Sequence, residues 1–134
     1  MRQSLKRLVW QRAESRCEYC HLPSGVAIVE FEIDHIIARK HHGPTVAENL
    51  ALACIYCNEA KGTDIASIDP ETVEITRLFH PRLHRWSDHF QWDGRQVVGK
   101  TAIGRATAQI LQMNESGLLM LRELLAEERL MDFD

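Results

Sequence analysis

Two C-x-x-C pairs constrain this chain more than any other feature. Cys17 and Cys20, then Cys54 and Cys57, are its four cysteines, and none is left over. A disulfide framework is the rival reading, but it belongs to small secreted chains. A single C-x-x-C could be a redox pair. Two pairs suit a tetrahedral four-thiolate zinc site instead, because each short knuckle offers two thiolates to one ion. His21 could compete as a ligand, yet four thiolates already complete the set. The 33 residues between the knuckles exceed the spacing of a compact zinc ribbon. The intervening segment is therefore expected to have a structure and purpose of its own.

Periodicity around the knuckles outlines the local structure. Residues 3–16 read as an amphipathic helix with Leu5, Leu8, Val9 and Ala13 on one side and Arg12 and Arg16 more exposed. Residues 26–37 are rich in β-branched side chains and partly alternate, which predicts a strand. Lys40-His41-His42-Gly43-Pro44 breaks that strand into a loop. A short second strand is expected over 49–53, then a helix over 55–61 ended by Gly62. Further on, Asp69-Pro70-Glu71 reads as a turn or helix start. His89 to Gly99 reads as a hairpin turning at Asp93-Gly94. Thr101 is placed to cap a helix carrying Ile103, Ala106, Ile110 and Met113 on one face. A last helix is predicted over 116–131.

Charge narrows the functional classes less sharply. The net charge of −3 is not the signature of a strongly basic nucleic-acid binder. It is uneven, however: residues 1–114 hold 14 Lys/Arg against 13 Asp/Glu, a net of +1, and residues 115–134 hold two against six, a net of −4. Glu123, Glu127 and Glu128 read as a solvated helix face. Phosphate contacts would have to come from a local patch, for which Arg12, Arg16, Arg39, Lys40, Lys61, Arg77, Arg82 and Arg85 are the candidates. No apolar run approaches the length of a membrane span. The basic start of the sequence lacks the apolar stretch of a secretory signal, so a cytoplasmic location is expected.

The chemistry-bearing residues lie between the knuckles and just after them. Asp34-His35 ends the first predicted strand, Asn49 follows the loop, and Asn58 comes directly after Cys57. Hydrolysing a phosphodiester needs an activated water, a cation on the phosphate and charge stabilisation at the leaving oxygen. A neutral imidazole suits the first task. A carboxylate and an amide oxygen suit a hard cation such as magnesium. Asp34 and Asn58 are thus candidate ligands of a catalytic divalent cation, and His35 the candidate general base.

The strings CEYC, FEIDHIIARKHHG and ENLALACIYCNEAKG together resemble the HNH endonucleases of the ββα-metal fold, over residues 3–63. The order Cys pair, Asp-His, Asn, Cys pair followed at once by Asn resembles the phage recombination endonuclease VII branch in particular. LFHPRLHRWSDHFQW and GKTAIGRATAQILQMN resemble the tail of free-standing bacterial HNH proteins, without a known catalytic role. The resemblance implies His35 as general base and Asp34 as metal ligand. It puts Asn49 in the middle position, bracing the loop and helping to orient the imidazole. Asn58 takes the third position, often His in the family, so the signature here is H-N-N. His42 stands where many relatives have a second Gly, and Ala38 where many have Pro.

The expected fold is α+β: a ββα-metal (His-Me finger) core with a four-cysteine zinc site, an N-terminal helix and a mostly helical C-terminal extension with a hairpin. One domain is expected over 1–134, with 1–63 as core and 64–134 as supporting extension. The expected activity is metal-dependent cleavage of DNA, with structural zinc and catalytic magnesium or manganese as cofactors. Lys61, Arg39 and Lys40 are the nucleic-acid contacts of choice. RNA as a substrate and a homodimer through the C-terminal helix stay open; a membrane partner is not expected. The rival reading is a zinc-knuckle module that binds nucleic acid without cutting it, since fold alone does not imply activity.

Overall fold

The computed structural model describes residues 1–26 and 28–134; Ala27, within the predicted 26–37 strand, lies outside the described residues. The first helix, α1, spans Gln3–Arg12. Leu5 and Val9, one turn apart, and Ala13 just beyond pack on Leu50 and Leu52. Leu8, assigned to that face from the sequence, is 43% exposed. The helix stops before the predicted Arg16 because Glu14 and Ser15 take left-handed backbone angles (φ 54° and 56°). These swing the chain into the first knuckle.

Strands β1 (Phe31–His35) and β2 (Leu50–Cys54) pair antiparallel, with Phe31 opposite Cys54, Asp34 opposite Ala51 and His35 opposite Leu50. The first strand is shorter than its β-branched run because β2 offers only five partners. Every β2 side chain is buried. Leu50 and Leu52 meet α1, and Ala51 and Ala53 join the core that holds the cysteines. Helix α2, Ile55–Lys61, follows without a loop. The Cys54 sulfur caps it by accepting from the Cys57 N–H, and Gly62, at φ 52°, ends it. The chain is thus mixed α and β, with a contiguous β1–β2–α2 unit.

Beyond it, β3 (Ala66–Ile68) and β4 (Ile75–Arg77) form a hairpin. The sequence showed only its turn, at Asp69, whose carboxylate accepts from the Glu71 and Thr72 N–H groups. A single helical turn, α3 (Trp86–His89), leads into the hairpin of β5 (Phe90–Asp93) and β6 (Gln96–Gly99). Asp93 pairs with Gln96, so the loop is Gly94-Arg95, one residue later than predicted. Gly94 at φ 61° supplies the positive angle that such a two-residue loop needs first. Helix α4, Ala102–Ile110, is capped by the Thr101 hydroxyl accepting from the Gly104 N–H at 3.1 Å. Helix α5 spans Ser116–Glu127, buries Leu118 and Leu125 and leaves Leu124 exposed.

Leu78, Phe79, Phe90, Val97, Leu111, Met113 and Leu125 share one buried cluster with the four cysteines and Tyr19. Two polar ties reinforce it. Arg82 is ion-paired with Glu18 of the first knuckle, and the Trp86 indole N–H donates to the Tyr19 carbonyl at 2.8 Å. Among the described residues no helix is long and apolar enough to cross a membrane.

Candidate metal centre and active site

The four cysteine sulfurs lie within 4.8 Å of one another, and all four residues are buried. A tetrahedral zinc with Zn–S bonds of about 2.3 Å requires sulfurs roughly 3.8 Å apart. The Cys20 and Cys54 sulfurs are separated by 3.7 Å. In each knuckle the sulfur of the first cysteine accepts from the backbone N–H of the second, at 3.5 Å. Contact with the other thiols, Cys17 first, and then burial push the Cys57 thiol well up. A divalent cation among the sulfurs reverses that penalty by stabilising thiolates. The set is positioned to bind a metal ion, and its geometry and ligand type fit zinc. His21 is not part of it: its ring stacks on Trp86 at 4.1 Å.

Asp34, at the fourth position of β1, turns inward and is 5% exposed. Its Oδ2 accepts from the Tyr19 hydroxyl at 2.7 Å, and the Lys61 ammonium lies 3.1 Å from Oδ2 and 3.3 Å from Oδ1. Burial pushes the Asp34 carboxyl up, while Lys61, the Tyr19 hydrogen bond and the nearby His35 ring oppose that push. A carboxylate and an amide oxygen are the right donors for a hard cation. Asn58 sits half-buried on α2, three residues before Lys61 and hence on the same helix face.

His35 ends β1 with its ring partly accessible, and its Nε2 is 2.8 Å from the Thr45 hydroxyl. Asn49 is buried in the loop opposite. Its Oδ1 accepts from the Ile37 N–H at 2.9 Å, and its Nδ2 donates to the Ile37 and Pro44 carbonyls at 3.0 and 2.9 Å. The amide therefore clamps both ends of the loop that leaves His35. Gly43 fits inside that clamp only without a side chain, since a Cβ would lie 1.7 Å from the Ile37 carbonyl oxygen. His42 takes φ 65°, the left-handed angle that glycine adopts freely, and Ala38 takes φ −62°, the angle of proline.

The basic residues divide. Lys61 is 2% exposed and its ammonium is engaged by Asp34 and by the His35 and Ile36 carbonyls, which corrects the expectation that it meets a phosphate at the surface. Arg12 donates to the Ala47 and Leu50 carbonyls at 2.9 and 2.7 Å. Arg82 is taken up by Glu18. Arg39 and Lys40 are exposed on a single 3-10 turn just past His35. Sequence reasoning missed two residues at the site, Tyr19 and Thr45. Tyr19 lies between Cys17 and Cys20, and neither it nor Thr45 carried a chemical signal in the sequence.

No curated protein and no solved structure matches the chain. The family model described as HNH endonuclease matches residues 17–64, a span that holds both knuckles, β1, the His35 loop, β2 and α2. Over residues 17–64 the chain is therefore similar to the HNH endonuclease family.

Proposed function

We propose that this protein is a metal-dependent endonuclease that hydrolyses DNA phosphodiester bonds with His35 as general base. The observation that carries this reading is the setting of His35: a partly accessible imidazole at the end of β1, tethered through Nε2 to Thr45 and close to Asp34. With the ring proton on Nε2 and donated to the Thr45 hydroxyl, the Nδ1 lone pair is left to take a proton from water. Asp34 and Asn58 would hold a magnesium or manganese ion, which supplies positive charge to the scissile phosphate and the leaving oxygen. The four-cysteine site, loaded with zinc, fixes the frame: Tyr19, between two of its ligands, orients the Asp34 carboxylate. Asn49 keeps the loop after His35 closed. The core shared by residues 1–63 and 64–134 supports treating the chain as one domain.

Arg39 and Lys40 are the phosphate contacts in this reading, being exposed beside the loop. Binding to DNA should weaken with salt, and losing either cation should flatten the log–log salt slope by about 1 without regard to sequence. A filter-binding titration over several salt concentrations measures that slope.

One observation favours the rival, non-catalytic reading: Lys61 already neutralises the Asp34 carboxylate. Nicking of supercoiled plasmid separates the two. The nuclease reading expects nicks with magnesium or manganese and none with excess EDTA; a binding module retains the plasmid intact in both.

A further inference from the structure

The Asp34–Lys61 pair is the least exposed ion pair in the described residues, with side chains 5% and 2% accessible. The Lys61 ammonium meets oxygen throughout: the carboxylate at 3.1 and 3.3 Å, the His35 carbonyl at 3.3 Å and the Ile36 carbonyl at 3.1 Å. A buried ammonium needs such partners, because leaving water uncompensated is costly. Two oxygens of one carboxylate and two backbone carbonyls are also what a hard cation seeks. On the other side the Tyr19 hydroxyl holds Oδ2 at 2.7 Å. The Asp34 carboxylate is thus already matched by a positive charge of the protein's own.

We propose that Lys61 is a resident counter-cation that competes with the incoming divalent metal for the Asp34 carboxylate and so sets how tightly that metal binds. The proposal rests on the reading of Asp34 as a metal ligand. A divalent ion at Asp34 shares its ligand with an ammonium held at ion-pair distance. In a buried site that repulsion is weakly screened. Lys61 and Asn58 stand on one face of α2, so the same helix presents a ligand for the metal and a competitor to it. Lys61 is a positioning residue in this scheme. It holds the Asp34 carboxylate in place when the metal is away, and it lowers affinity for the metal when it arrives.

Removing the competing charge must then tighten metal binding, which loss of a purely structural contact would not do. The experiment titrates the full-length, zinc-loaded protein with manganese in the absence of DNA and counts free manganese by electron paramagnetic resonance. Lys61→Met, close in shape but uncharged, is expected to bind manganese at least about tenfold more tightly than wild type. Lys61→Arg, which keeps the charge, is expected to stay weak. If the methionine variant fails to retain zinc or to fold, Lys61→Gln removes the charge while keeping N–H donors for the two carbonyls, and the same tightening is expected. Equal or weaker manganese binding by the folded uncharged variant overturns the proposal. Asp34→Asn keeps the two readings apart. Should it leave manganese affinity unchanged, Asp34 is not a ligand and the metal assignment itself falls. Should it weaken binding while Lys61→Met brings no gain, only the competition is refuted.

Discussion

Asn49 joins three backbone groups with one amide, and each of them loses its partner when that amide goes. Asn49→Ala should cost about 2–3 kcal/mol in a denaturant titration, since buried polar groups left unpaired are expensive. It should also reduce cleavage, by freeing the loop that follows His35; unchanged cleavage alongside that stability loss would confine Asn49 to folding. Asp34, His35, Asn49 and Asn58 can be nominated from the sequence because their order and spacing are local properties. Lys61 was misread as a surface cation for the converse reason. Its partners Asp34, His35 and Ile36 lie 25 to 27 residues away, across a strand pairing that no local pattern encodes. Tyr19 and Thr45 were invisible on the same ground, each acting on a residue 10 to 15 positions distant.

At the level of elements, α2 was legible to the residue, because Gly62 marks its end and the second knuckle its start. The expected 26–37 strand runs past the observed Phe31–His35, since β-branched residues announce extended backbone but not where a partner strand stops. The β3–β4 hairpin is not legible because its strands are three residues each and their apolar residues, Ile68 and Ile75 among them, are exposed, so no buried apolar face is written into them. The knuckles connect elements rather than decorate them: one enters β1 through its loop, and the other joins β2 to α2. Cys54 is at once a member of the four-sulfur cluster, last residue of β2 and cap of α2. Cys54→Ser should therefore lower the melting temperature of the whole protein and release zinc, because such a site contributes folding energy outright. Elemental analysis with a melting curve checks both; a variant that keeps wild-type stability without zinc would separate the metal from the fold.

Across the whole molecule, the C-terminal extension is bound to the knuckles by a common core, by Arg82–Glu18 and by Trp86–Tyr19. Its histidines carry a pH signature. Burial, then the charges of Arg77 and His84, hold His80 down to about 4, from an ordinary value of 6.5. Because the folded value lies below the unfolded one, the unfolded chain binds more protons between them. Stability is then lost as pH falls from about 6.5 towards 4. Denaturant midpoints across that window should decline for wild type and decline less steeply for His80→Asn; equal slopes would mean that His80 titrates alike in both states. Whether this protein cuts DNA with His35 as its base is tested most directly by one comparison. Cleavage rates of wild type and His35→Ala are measured on the same plasmid, with zinc content and DNA binding verified for both proteins. The account predicts that the variant stays folded, keeps its zinc, binds DNA and cuts about two to four orders of magnitude more slowly. A His35→Ala protein that cuts as fast as wild type under the same manganese concentration and pH would contradict it.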